Sequence, residues 1–205
     1  MADTSTINRE TIERLGAESR EARRYGRKVC CNTSVGAFVR NKEGLSLVIQ
    51  RTKKPLGYAC VAGHALDKHK DWLESLKAEL LEEVGIIVEN DSDLRPIKHL
   101  KGVYTNLCSR PGCKFHAWKV YDLVVEGTPG TMTGDDGVKS VQWVTKDRLR
   151  ELCERTRDWY ARGKPEGADD HMEPVWVIHL AKTGIVDIDY SFIDDIQELP
   201  HEGAY

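Results

Sequence analysis

Glu79, Glu82 and Glu83 stand at i, i+3 and i+4 within Ala78-Glu-Leu-Leu-Glu-Glu-Val-Gly-Ile86. At about 100° per residue that spacing gathers three carboxylates in one arc of a helix. Leu73, Leu76, Leu80 and Val84 fall on the neighbouring stripe and mark the face to be buried, with Glu83 nearest its edge. Most glutamate triplets are solvated helix surface, but two features count against that reading here. No Lys or Arg lies three or four residues from any of the three, so their repulsion is not offset within the helix. They also occupy its last turns, where the macrodipole disfavours anions, and Gly85 is placed to end the helix just beyond. A hard divalent cation held by oxygen ligands is the natural neutraliser, and Mg²⁺ with its retained waters fits. Glu74, three residues after Asp71, is explained instead as the partner in a capping box.

Periodicity supplies the elements that must position this helix. Residues 5–25, rich in Glu, Arg and Ala with Ile7, Ile12, Leu15 and Ala22 loosely at helical spacing, predict a weakly amphipathic N-terminal helix. Lys28 to Arg40 and Leu45 to Arg51 read as strands, joined by the turn Asn41-Lys-Glu-Gly44 into a hairpin. A short apolar piece, Tyr58 to Ala62, ends at Gly63, and the acidic helix runs from about Asp71 to Val84. Ile97 to Thr105, Lys114 to Val125 and Val138 to Val144 have strand composition, separated by loops at Ser109-Arg-Pro-Gly112 and Gly127 to Gly137. Helices are expected over Lys146 to Ala161, Glu173 to Lys182 and Phe192 to Leu199, and the apolar run Pro174 to Leu180 must be buried. Sheet with one inserted helix, followed by helices, is an α+β fold built on a mixed sheet.

The chain has 205 residues, of which 40% are hydrophobic and 31% charged, enough for one domain whose core needs neither disulfides nor a structural metal. Its formal charge of -3 lacks the electrostatic footprint of a general nucleic-acid binder. The N-terminus carries no apolar signal segment and no stretch is long enough to span a bilayer, so no membrane partner and a cytoplasmic location with reduced thiols are expected. Six cysteines (30, 31, 60, 108, 113 and 153) lack a CxxC spacing. Cys108, Cys113 and His116 could offer three soft ligands to zinc, but no fourth from a second knuckle is visible in the sequence. The plain reading of these cysteines is small apolar filler on or beside a strand.

Ala62-Gly63 followed by Ala78-Glu-Leu-Leu-Glu-Glu-Val-Gly-Ile86 resembles the signature of the Nudix hydrolases, G-x5-E-x7-R-E-U-x-E-E-x-G-U, where U is a bulky aliphatic. The resemblance covers about residues 28–155 and includes the Val141-Gln-Trp-Val144 strand leading into a helix. It implies an α/β/α sandwich with a central mixed β-sheet, in which this loop and helix hold Mg²⁺ or Mn²⁺ against a diphosphate. Residues 1–27 and 156–205 then become helical extensions, the second packed on the same domain. By the match, Glu79, Glu82 and Glu83 are the metal-binding glutamates and the Gly63 carbonyl an extra ligand. Two positions depart: the motif arginine is Ala78, and the early glutamate falls at His69 or Lys70. In the family those two residues pair to orient the loop, and losing both strands no single buried charge.

The reaction implied is metal-assisted hydrolysis of a nucleoside diphosphate derivative, of nucleotide-sugar, ADP-ribose or (d)NTP type, with Glu82, Glu83 or Asp136 as the base that deprotonates water. Asp135 and Asp136 lie between glycines at a place where some family members carry a catalytic acid, although Asp-Gly pairs also form ordinary turns. For substrate contacts the candidates are Arg51, as a phosphate clamp, with Tyr58, His64, Tyr104, His116 and Trp118. Two other readings compete: a Nudix-like nucleotide-binding or regulatory module without catalysis, and a hydrolase of RNA 5′ ends. The latter would use the basic run Arg20, Arg23, Arg24, Arg27 and Lys28, whose plain reading is a solvated helix end. Family resemblance also points to a homodimer.

Overall fold

In a computed structural model the chain is described over residues 6–128 and 137–202. Strand β1 (Thr33–Asn41) is buried along almost its whole length, as a central strand covered on both faces must be. The hairpin turn after it sends β2 (Ser46–Arg51) back antiparallel, and β3 (Gly57–Ala59) continues that side of the sheet. Strand β4 (Val61–His64) also runs antiparallel to β1, with Gly63 opposite Val35. The other side of β1 pairs in parallel with β7 (His116–Val125), from Thr33 opposite Ala117 to Asn41 opposite Val125. Strands β5 (Arg95–Pro96) and β6 (Gly102–Tyr104) join β7, β8 (Val138–Val144) joins β2, and β9 (Glu198–Leu199) closes on β6. The sheet is therefore mixed and open, as expected for the α+β class.

Helix α1 (Arg9–Arg24) starts at Asn8, whose side chain accepts from the Thr11 amide. Helix α2 (Trp72–Val84) starts at Asp71, which accepts from the Leu73 and Glu74 amides, and stops at Gly85 in the left-handed conformation with φ 68°. Its Leu76, Leu80 and Val84 are fully buried, each worth about 1.5–3 kcal/mol of transfer free energy. Helices α3 (Lys146–Ala161) and α4 (Pro174–Lys182) follow β8. The apolar run in α4 is buried as its composition demands. Trp176 packs edge-on against Phe38 of β1 at 5.5 Å, and the missing side chain of Gly36 makes room for its ring.

Two expected elements are replaced. The stretch Ile97 to Thr105 is not one strand: Pro96 offers no amide to a ladder, and a 3₁₀ turn over Lys98–Leu100 separates β5 from β6. Residues Phe192 to Leu199 form no helix. The Thr105 amide donates to the Gln197 carbonyl at 3.0 Å and the Gln197 amide to Thr105 Oγ1 at 2.8 Å, so the edge of the sheet captures this backbone as extended chain. The expected strand from Lys28 begins only at Thr33, because Asn32 takes a left-handed φ of 57° and breaks it. The two ends of the described chain meet, Ile7 donating to Pro200 and accepting from the Glu202 amide.

His179 is wholly buried among Trp118, Trp176 and Tyr104, with ring centroids 5.1–5.5 Å away, and neither ring nitrogen has a hydrogen-bond partner among the described residues. Burial, reinforced by the Lys182 cation, pushes its pKa down to about 3. The unfolded chain, with an ordinary imidazole, takes up this proton first as pH falls. Stability is therefore complete above about pH 6.5 and declines toward pH 3, by up to about 1.4 kcal/mol per pH unit from this residue. His179→Leu is expected to flatten that decline in urea unfolding measured across the interval.

Candidate active site

The expected apolar piece Tyr58 to Ala62 is divided between β3 and β4, Gly63 lies within β4, and α2 packs across that strand. Glu79 lies directly on Gly63: any side chain at 63 would collide with the Glu79 carboxyl group, so the glycine is what lets the acid approach the backbone. Glu83, buried at the edge of the apolar stripe as the sequence places it, accepts from the Ala62 amide at 3.2 Å. Glu82 faces solvent, where Lys68 Nζ meets its two oxygens at 3.0 and 3.2 Å. The counter-charge missing from the helix thus arrives from the loop between β4 and α2. Glu79 and Glu83 thus offer carboxylate oxygens beside the Gly63 and Ala62 backbone, the kind of donor a hard cation such as Mg²⁺ or Mn²⁺ takes, while Glu82 is turned to Lys68.

The loop itself, without the arginine and glutamate of the motif, is held from outside. Arg20 of α1 donates to the carbonyls of Leu66 at 2.8 Å and His69 at 3.3 Å. Asp67, only 3% exposed, receives Arg23 of α1 at 2.5 Å and Arg110 of the β6–β7 connection at 2.6 Å. Burial alone would raise the Asp67 pKa, but the Arg110 and Arg23 guanidiniums outweigh it and hold the carboxyl below its usual range. Two of the five basic residues expected to meet a polyanion are therefore turned inward. Thr33 completes the anchoring, its carbonyl and hydroxyl accepting the Ala65 and Leu66 amides at 3.2 Å.

A cavity of about 90 Å³ adjoins Gly63, lined among others by Arg51, His64, Trp118, Glu173 and Trp176. Arg51 donates to the Pro55 carbonyl at 2.8 Å and stands 3.9 Å from Glu173. Pro55, Leu107 and Cys108 also line a larger cleft of about 420 Å³, with Lys54, Trp159 and Lys164 in its wall. Tyr58 and Tyr104 do not line either space. Tyr58 is buried in the core, and Tyr104 is buried with its hydroxyl accepting from Lys182 at 2.9 Å. His116 touches the cavity but has both ring nitrogens engaged, Nδ1 with the Asn106 carbonyl at 2.5 Å and Nε2 with cysteine sulfurs, which leaves none to bind substrate. Asp136 lies outside the described residues.

Glu173 is the site residue that the sequence reading missed. It precedes the first residue of α4 yet makes no side-chain capping bond; it lines the cavity instead, with its carboxylate 3.9 Å from Arg51. Burial raises its pKa against the pull of Arg51 and His116. A glutamate where Ser, Thr, Asp or Asn would cap, directly before a proline, was the available signal.

A family model described as NUDIX domain matches residues 32–165. Comparison with curated proteins finds no match. Among solved structures, the C. elegans Ap4A hydrolase binary complex aligns at 13% identity over 64% of this chain and 99% of its own, with a TM-score of 0.44. A MutT protein from Methanosarcina mazei Go1 aligns at 19% identity over 63% and 90%, with 0.44. The NUDIX domain of Shewanella oneidensis NrtR complexed with ADP ribose aligns at 14% over 65% and 90%, with 0.43. Likeness at these levels carries no argument about substrate.

The clamp on the loop is expected to respond to acid and to substitution. The stability from Asp67 is complete above about pH 4, the ordinary carboxylate pKa, and is lost as pH falls through its lowered folded value. Asp67→Asn should cost on the order of 2–3 kcal/mol at neutral pH, read from urea unfolding, because it uncouples two guanidiniums at once.

Proposed function

The chain belongs to the NUDIX family of pyrophosphohydrolases, and from that premise we propose that it cleaves the diphosphate linkage of a nucleoside diphosphate derivative, with Mg²⁺ or Mn²⁺ as cofactor. The observation that carries this reading is the seating of Glu79 and Glu83 on the backbone of Gly63 and Ala62, at the rim of the cavity that holds Arg51. Glu79, Glu82, Glu83 and the Gly63 carbonyl would hold the cation. When bound, it would offset the phosphate charge and make phosphorus a better electrophile.

The chain's own groups perform the remaining work. Arg51, 24% exposed, presents a guanidinium that fits phosphate oxygens. Glu82 faces water and can take its proton; Glu83, tied to the Ala62 amide, is better suited to hold geometry. Glu173, with its raised pKa beside Arg51, is a second group able to exchange a proton with the substrate. The larger cleft continues from the cavity past Pro55 and Leu107 to Trp159, whose ring is stacked on His171 at 4.3 Å and pinned through Nε1 to the Pro165 carbonyl. Its aromatic wall with Lys54 and Lys164 suits the nucleoside and outer phosphate of a substrate whose linkage lies over Gly63. The C-terminal part of the chain, which supplies Glu173 and one wall of this cleft, thereby becomes part of the binding site.

A panel of nucleotide-sugars, ADP-ribose, dinucleoside polyphosphates and (d)NTPs, assayed with Mg²⁺ or Mn²⁺ for phosphate or mononucleotide release, tests the reaction. Glu82→Gln and Glu83→Gln are each expected to lower metal-dependent turnover by about 100-fold or more, the first without loss of thermal stability since Glu82 is exposed. Full activity in both would overturn the assignment, and nucleotide binding without any turnover would favour a regulatory module. With the substrate so found, Trp159→Ala should raise KM about 10-fold while leaving kcat close to that of the parent.

A further inference from the structure

Cys30 and the stretch holding Cys108, Cys113 and His116 lie far apart in the chain, yet the Sγ and Nε2 atoms of these four residues all lie within 4.8 Å of one another. Cys30 Sγ is 3.4 Å and Cys113 Sγ 3.9 Å from His116 Nε2. Bonds of about 2.3 Å to sulfur and about 2.0–2.1 Å to nitrogen give a tetrahedron with S···N edges of roughly 3.6 Å and S···S edges of roughly 3.8 Å. We propose that these four side chains bind one Zn²⁺ in a closed structural site, distinct from the oxygen-ligand site at Glu79, Glu82 and Glu83. Cys30 is the fourth ligand that spacing alone does not reveal, since it stands 78 residues before Cys108.

The surroundings are those of a prepared thiolate site. The Asn106 carbonyl lies 2.5 Å from His116 Nδ1, an arrangement that keeps the proton there and aims the Nε2 lone pair at the sulfurs. The Asn32 amide donates to Cys30 Sγ at 3.3 Å and the Cys108 amide to Cys113 Sγ at 3.2 Å. Cys108 and Cys113 are separated by four residues, within the span of a zinc knuckle, and the turn between them closes at Gly112 with φ 80°. Asn32, itself left-handed, ties this turn to the start of β1: its side-chain Nδ2 donates to the Gly112 carbonyl at 3.1 Å and its side-chain Oδ1 accepts from the Lys114 amide at 2.8 Å. The Cys30 amide donates to Pro111 at 2.9 Å. A disulfide is the poorer reading, because three thiols leave one unpaired and give the oriented imidazole nothing to do.

His64 extends the consequence to the hydrolytic site. Its Nε2 sits 3.6 Å from Cys30 Sγ and 3.5 Å from Cys108 Sγ, flanking two of the ligands, and it directly follows Gly63. Cys108 also lines both the cavity and the larger cleft. A bound Zn²⁺ would fix the wall of the cleft relative to the loop that carries Gly63. The site does not rest on the hydrolase reading and is tested apart from it.

The full chain, purified without chelator, is expected to contain about one zinc per molecule by elemental analysis. After removal of zinc under reducing conditions, Co²⁺ titration should give the intense visible and thiolate charge-transfer bands of a tetrahedral sulfur-rich site, saturating near one equivalent, and Tm should fall without metal. Cys113→Ser, at a partly exposed position, should lose the zinc and the charge-transfer bands. Glu79→Gln and Glu82→Gln should retain both even where hydrolysis is lost, so the two proposals fail separately. A folded parent chain with no zinc and no cobalt–thiolate bands would overturn the site. So would a folded Cys113→Ser that keeps full zinc, or a cobalt spectrum typical only of oxygen ligands.

Discussion

Asp67 is a nearly buried carboxylate that meets two arginines from distant parts of the chain, Arg23 of the N-terminal helix and Arg110 of the connection into β7. A lone charge at that depth would be costly, and the two guanidiniums are what make it tolerable. They also make it a three-way junction, because Asp67 sits in the loop between Gly63 and the acidic helix. Whatever holds Asp67 holds the loop, and the loop sets where the backbone of residues 62 and 63 stands relative to Glu79 and Glu83. Removing the junction would free three segments at once, among them the loop that leads from Gly63 into the acidic helix.

This arrangement accounts for the departures from the family motif. The arginine–glutamate pair that the motif resemblance implies cannot form here, with Ala78 and the residues at 69 and 70 in those places. Arg20 and Arg23 of α1 supply the restraint instead, by hydrogen bonds to loop carbonyls and by the ion pair. The N-terminal extension is thus a structural part of the site. Arg110 lies between Cys108 and Cys113, so the junction also joins the proposed zinc ligands to the loop between β4 and α2. A soft-ligand metal on one side and a hard-ligand metal on the other would then brace the same few residues, each selected by its donor atoms.

Much of the fold was legible from residue patterns. The acidic helix begins at the Asp71 cap and ends at Gly85, β8 covers Val138 to Val144, and α3 covers Lys146 to Ala161, all as periodicity and capping residues indicate. The exceptions have tertiary causes. Phe192 to Leu199 carries a pattern compatible with a helix, but the free edge at Thr105 offers its backbone better partners as extended chain. Tyr58 and Tyr104 have the chemistry to stack on a base, yet their places in the sheet point them into the core. Glu173 escaped notice because its role depends on where α4 docks. The composition reading that no structural metal is needed for the core is compatible with the proposed zinc site, whose work would be local, bracing a cleft wall.

The sequence by itself determined the class of fold and the helix, from its Asp71 cap to its Gly85 stop, that carries Glu79, Glu82 and Glu83. These follow from interactions a few residues apart, where the helical repeat and capping hydrogen bonds act. Only the tertiary structure decided that Lys68 meets Glu82, that Arg20 and Arg23 grip the loop, that Glu173 lines the cavity beside Arg51, and that Cys30 stands with Cys108, Cys113 and His116. Contacts across tens of residues are fixed by how sheet register and helix docking bring backbones together, and no local spacing encodes that register.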